Sequence, residues 1–334
     1  MEIRRTLTVA VTVSALLTTA CGGKSSSAGA GSTSSGPAPA TSEKAAAATI
    51  GSAAGAAIKV GFITKFPVDF YSTMVNAVKT WQKSHTNVTV LFAQGKSGTD
   101  DQSEIAAIQS FVSQGVKAIA ITPTSPNVKG ELQKAVDKGI KVVLIDNDIP
   151  GWAGKSALVA TDNLAGGKLA GTFIKGKVAA GAKIAILEGV LGNPSLADRV
   201  TGMLGSLGSG YQVVDQLPTD CDQTKGLSAA QDILTAHPDV AVIYGACGPP
   251  ILGALQALKS ASKSKVVVVG FDADPGQAAA ILAGQEAGSV AQFPAKMGSL
   301  GVQTAVDAAE GKAVSANVDT GTAVVTAVNA AQFK

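Results

Sequence analysis

One alternation constrains this 334-residue chain more than any other feature: short apolar runs separated by longer helical segments, gone through twice. IKVGFIT (58–64), VTVLFA (88–93), AIAIT (118–122), KVVLID (141–146) and ALVAT (157–161) predict strands. Between the first four lie DFYSTMVNAVKTWQKS, DDQSEIAAIQSFVSQG and a helix over 127–138. The cycle restarts with NLAGGKLAGTFIKGK as a helix, then strands KIAILEG (183–189), YQVVDQL (211–217), VAVIYG (240–245) and KVVVVGFD (265–272). Helices over 195–207, over KGLSAAQDILTAH and from about 249 to 260 separate them. Near-continuous apolar strands that alternate with helices belong to parallel sheets buried on both faces. A series that runs twice predicts an α/β fold of two doubly wound parallel-sheet lobes. Hydrophobic residues make up 46% of the chain and aromatics only 4%, so Ala, Val and Gly must do the helix-on-sheet packing.

The N-terminus is of a different kind. Arg4 and Arg5 precede an apolar core from Leu7 to Leu17, followed by Thr18, Thr19 and Ala20 before Cys21. This is a secretory signal, too short to span a bilayer as a mature helix. Its end resembles a bacterial lipobox, in which the cysteine thiol is diacylated; Thr18 stands where Leu is usual, with Leu17 one place early. Residues 1–21 are therefore expected to be a lipoprotein signal ending at a lipidated Cys21. Residues 22–56 are Gly, Ser, Ala, Pro and Thr with few large apolar side chains, a composition that cannot offset its ordering entropy by burial; a disordered tether is expected. Nothing after residue 21 reads as a transmembrane helix.

The net charge of +3 is small and no basic run follows the signal, which excludes nucleic acid as a partner. The chain has no GxxxxGK[ST], HExxH or GxSxG motif. His85 and His237 both sit at helix ends, so neither a metal nor a cofactor is expected, and the chain is read as a non-enzyme.

In doubly wound sheets ligands bind beyond the carboxyl ends of the strands. Thr64, Lys65, Phe66, Asp69, Phe70 and Tyr71 follow the first strand, and Asp146, Asn147 and Asp148 the fourth. Asp198 and Arg199, then Asp220, Cys221 and Asp222, then Cys247, then Asp272 and Asp274 follow strands of the second series. Carboxylates, amides and a forked guanidinium beside flat rings suit a polyhydroxylated ligand. Trp81 reads as packing or surface, and Trp152 as covering a sheet edge rather than leaning over the cleft.

The stretches TKFPVDFY, VLIDND, ATDNLAGGKLAG, TAHPDV, LGALQAL, VVGFDADP and VAQFPAKMG, in this order, resemble the ribose- and galactose-binding members of the type I periplasmic binding protein family, from about residue 58 to 325. The resemblance implies two lobes joined by three crossings. These are 57–161 plus 293–318, and 162–292 plus 319–334. It implies a solute-binding lipoprotein on the outer face of the cell membrane, acting as a monomer. Such a protein delivers a small neutral sugar or polyol to an ABC permease; a sensor presenting the same ligand to a membrane signalling partner is the alternative. By resemblance, Thr64 and Lys65 match the first-strand loop, and Phe70 and Tyr71 the paired aromatics that sandwich a sugar ring. Asp146 matches a strand-end aspartate, Arg199 a clamp arginine, Asp272 the aspartate of Gly-Phe-Asp, and Gln292 a hinge glutamine.

The chain departs from the ribose binders at three places. Asn147 replaces an arginine, Cys221 an aromatic and Cys247 an asparagine, so D-ribose itself is not implied. In an oxidising compartment an isolated pair such as Cys221 and Cys247 argues for a disulfide. Their parent strands flank the lobe's first strand, about 10 Å apart at a strand spacing of about 4.8 Å. A bridge tolerates about 7 Å between Cα atoms. The cysteines pair only if the loops curl over the first strand's end.

Overall fold

The computed structural model describes residues 57–334; Cys21, the signal 1–21 and the tether 22–56 lie outside the described residues. In chain order the elements are β1 (Ile58–Thr64), α1 (Asp69–Lys83), β2 (Val88–Gln94), α2 (Asp101–Ser113), β3 (Ala118–Ile121), α3 (Lys129–Asp137), β4 (Lys141–Ile145) and β5 (Ala157–Ala160). There follow α4 (Asn163–Lys175), β6 (Lys183–Glu188), α5 (Pro194–Leu207), β7 (Gln212–Pro218), α6 (Gln223–Ala236), β8 (Val242–Gly245), α7 (Gly248–Ser260) and β9 (Val267–Asp272). The last are α8 (Pro275–Leu282), β10 (Gly288–Ala291), α9 (Pro294–Ala309), β11 (Asn317–Asp319) and β12 (Ala323–Val325).

Among the described residues the strands form two six-stranded sheets, ordered β11-β5-β4-β3-β1-β2 and β12-β10-β9-β8-β6-β7. All pairs are parallel except β10 with β12. The two lobes expected from the doubled alternation are present. Each sheet is buried on both faces, which is why its strands read as continuous apolar runs. On β1, Val60 and Phe62 face a core shared with Met74 and Val78 of α1 and Val302 and Val306 of α9. Ile63, on the other face, meets Ile119, Ile121, Ile108 and Leu132. β6 divides the same way: Ile184 and Ile186 pack with Met203 and Phe271, while Ala185 and Leu187 pack with Ile233, Ile251 and Val268.

Short polar residues set the helix starts. The side chains of Asp100, Asp162, Asn193 and Asp222 accept from the backbone amides of Ser103, Ala165, Leu196 and Lys225. Pro194 then opens α5 at a position where a missing N–H is harmless. Helices α4 and α5 meet backbone to backbone. A Cβ on Gly167 would overlap the Arg199 carbonyl, and one on Gly202 the Leu164 carbonyl, so only glycine permits this approach.

The chain passes between sheets three times, after β5, after β10 and between β11 and β12. Thr161 and Thr320 hydroxyls lie 3.4 Å apart there, and Thr322 donates to the Ala291 carbonyl at 2.7 Å. Across the cleft the lobes touch: Ser195 Oγ of α5 donates to the Asp146 carbonyl at 3.2 Å. The lobes are therefore closed on one another.

Candidate functional site

The closed lobes frame a narrow cleft lined by residues of both. It sits beyond the carboxyl ends of both sheets.

Arg199 is its most heavily engaged side chain. Nε donates to Asn163 Oδ1 at 2.8 Å; Nη1 donates to the Ala246 carbonyl at 2.8 Å and to Asp272 Oδ1 at 3.2 Å. The guanidinium lies 4.0 Å from the Phe271 ring centroid, where the cation meets the negative π-face. Nη2 donates to no group among the described residues, and Arg199 lines the cleft. A guanidinium only 3% exposed is tolerable because its charge is matched by Asp272.

Asp272 closes the network. Oδ1 also accepts from Gln292 Nε2 at 2.6 Å, and Oδ2 from the Gly248 amide at 2.9 Å. Gln292 is 4% exposed, and its Oε1 accepts no hydrogen bond from the described residues. From the other lobe, Asp146 Oδ2 accepts from Asn147 Nδ2 at 2.7 Å and from the Tyr71 hydroxyl at 3.3 Å. Burial pushes the Asp146 carboxyl up, while Lys65 and Arg199 pull it down. Burial likewise lowers the Lys65 ammonium, which donates no hydrogen bond within the described residues. Asp274, beside Asp272, is pushed up to about 8, by burial first and then by that neighbouring charge.

Both strand-end aspartates hold left-handed backbone, Asp146 at φ 65° and Asp272 at φ 90°. For a non-glycine residue this conformation is uncommon, and it recurs where a side chain must be aimed at a site.

Of the residues singled out from the sequence, Lys65, Phe66, Phe70, Tyr71, Asp146, Asn147, Arg199, Cys221, Cys247, Asp272 and Gln292 line one cavity. Thr64 and Asp69 do not. Thr64 is fully buried in the sheet, its hydroxyl accepting from Gln94 Nε2 at 3.1 Å, and Asp69 faces solvent in the first turn of α1. Phe70 and Tyr71 are both core and lining, their rings edge-to-face at 5.2 Å. Trp152 is buried under the sheet edge and donates to Gln133 Oε1, away from the cleft; Trp81 stacks on His85 at 3.8 Å.

The structure joins Cys221 to Cys247, with Cα atoms 5.9 Å apart. Asp220 and Cys221 take left-handed backbone, φ 50° and 54°, and this curls the β7 loop back over the end of β6. The bridge passes directly above Gly189. A Cβ there would lie 2.7 Å from Cys221 Sγ and would overlap Leu196, so a side chain is excluded.

The sequence reading did not assign Val68, Gly98, Val190, Asn193, Ser195, Leu196 and Pro249 to the cleft, and it placed Asp274 at a strand end without making it a ligand residue. Asp274 was visible as a strand-end carboxylate two residues past Asp272. The Asn-Pro-Ser of 193–195 was visible as a helix start. Among the described residues no group of three His, Cys, Asp or Glu side chains is arranged to hold a metal.

Residues 60–313 match the family model described as the periplasmic binding protein domain. The ribose import binding protein RbsB of Escherichia coli K12 is 35% identical over 252 residues, covering 74% of this chain and 82% of that protein. The D-allose-binding periplasmic protein of the same organism is 34% identical, covering 65% and 73%. A solved ABC transporter solute binding protein from Mycobacterium smegmatis, with bound glycerol, is 29% identical at a TM-score of 0.77, covering 83% of this chain and 96% of that one.

Proposed function

The chain belongs to the periplasmic binding protein family, and we propose that it captures a small neutral sugar or polyol between its lobes and delivers it to an ABC importer. The observation that carries this reading is the ring of Asp146, Arg199, Asp272 and Gln292 around a closed cleft. Asp146 and Asp272 accept from hydroxyls, Arg199 Nη2 donates, and Gln292 Oε1 offers a buried acceptor. Phe66, Phe70 and Tyr71 supply faces for C–H groups. Its relatives include a ribose import binding protein and a D-allose-binding periplasmic protein, which supports a sugar ligand and a place outside the cytoplasm.

Delivery follows from closure. A ligand that touches both lobes favours the closed state by its differential affinity, and in that state Ser195 lies against Asp146. The permease would read the joined outer faces of the lobes. A lipid on Cys21, with residues 22–56 as a tether, would keep the lobes near that permease. The chain is read as a monomer and a non-enzyme.

Thermal-shift measurement against pentoses, hexoses, inositols and polyols tests the reading. A ligand at a hundredfold excess over Kd stabilises by about 2.7 kcal/mol. Arg199→Ala and Asp272→Asn are expected to abolish the shift. No shift with any of these compounds overturns the reading.

A further inference from the structure

The cleft is polar at one end and apolar at the other, and the second sheet sets the order. Along its carboxyl edge come Gln292 after β10, Asp272 at β9, Cys247 after β8, Gly189 after β6 and Cys221 after β7. The first two carry the hydrogen-bond network with Arg199. The last three form the bridge and the glycine beneath it. Val190, Leu196 and Pro249 complete that apolar end. The first lobe matches it: a Cβ on Gly98, after β2, would lie 3.4 Å from Phe66 and 3.6 Å from Val190. Asn193 also reaches the cleft; its Oδ1 is engaged by the Leu196 amide, and its Nδ2 is the donor beside this end, away from the sulfurs' own surface.

We propose that the Cys221–Cys247 bridge is a specificity element that selects a deoxy sugar, one whose edge toward the bridge carries hydrogen or methyl in place of hydroxyl. The proposal rests on the reading that the cleft takes a sugar or polyol. A disulfide has no donor, and its sulfurs accept weakly. A hydroxyl aimed at it leaves water without gaining a partner, while a C–H or methyl group packs on it without that loss. The bridge is also covalently fixed, so it cannot turn aside to admit a water in place of a missing contact. The discrimination expected from one stranded hydroxyl is about tenfold or more in Kd.

The test uses the full chain and isothermal titration. The tightest-binding fully hydroxylated monosaccharide is found first, and then its monodeoxy analogue at each carbon is measured. One analogue is expected to bind about tenfold tighter than the parent, and the others more weakly. In a Cys221→Ser/Cys247→Asn variant, which restores a donor and an acceptor at this wall, that gain is expected to fall below about threefold. Cys221→Ala/Cys247→Ser serves if the first variant does not fold. The proposal is overturned if every deoxygenation weakens binding, or if the gain survives in a folded bridge-free variant. If no monosaccharide binds at all, the sugar reading falls and takes this proposal with it, a result distinct from either of the other two.

Discussion

In both lobes three strand ends meet at the cleft, β1 flanked by β2 and β3, and β6 flanked by β7 and β8, yet the two corners are fastened by different chemistry. In the first lobe, Gln94 Nε2 donates to Thr64 Oγ1 and to the Phe66 carbonyl, both at 3.1 Å, tying β2 to β1. Glu104 of α2 reaches across and accepts from the Thr124 amide at 2.8 Å, holding the loop after β3. In the second lobe a covalent bond does the equivalent work, spanning 26 residues from Cys221 to Cys247. One corner is held by groups that titrate and exchange with water; the other responds to reductants. The same topology therefore gives a cleft whose two walls answer to different conditions.

The largest effect expected is from removing the bridge. Cys221→Ala/Cys247→Ala frees the loop in the unfolded chain and is expected to lose about 3–4 kcal/mol in denaturant unfolding. Hydrogen exchange should rise first around β7 and β8; a rise spread equally over both lobes would break the distinction between the corners.

Glu104 tests the other wall. Burial raises its carboxyl from the usual 4.5 to about 7, and its Oε1 accepts no hydrogen bond from the described residues. The folded state then holds a proton that the unfolded state releases. The associated stability is full below about pH 4.5, declines as pH rises through about 7 and is gone above it. Glu104→Gln should remove that decline and be more stable than wild type at pH 8, on the order of 2–3 kcal/mol. A pH series of melting curves decides it; an unchanged decline would move the titration to Asp274 or Glu286 of the second lobe, also raised by burial.

Gly189→Ala should cost about 1–3 kcal/mol by overpacking against Leu196 and the bridge. In a cysteine-free background the cost should shrink, and a double-mutant cycle on unfolding free energies reads the coupling. The smallest change expected is from Gln94→Ala, about 1 kcal/mol of stability by urea titration, with the second lobe's exchange rates untouched.

Strands β1 to β9 were legible because each lies in a short apolar run that alternates with a helical segment. The later ones were not: GSVA, NVD and AVV are three or four residues long, and their pairing depends on partners far away in sequence. Asp146, Arg199, Asp272 and Gln292 could be placed because strand ends are the one location the alternation predicts without coordinates. Val190 and Leu196 could not, since an apolar residue in a loop reads the same whether it faces the cleft or covers a core. Strand spacing alone argued against the bridge. The left-handed turn at Asp220 and Cys221 shortens that span, and neither residue type announces it.

The three crossings also dictate an order of assembly. The second lobe's strands β6 to β10 are contiguous in the chain, whereas the first lobe takes α9 against α1 and β4, and β11 at its edge, from after that stretch. During synthesis the segment made first has this face of its sheet covered by α1 alone until α9 follows, while the segment made second can complete most of its core. Until residues 294–309 arrive, Met74, Val78 and Ile145 lack the α9 side of their core, and an export route or chaperone that shields them would meet that exposure.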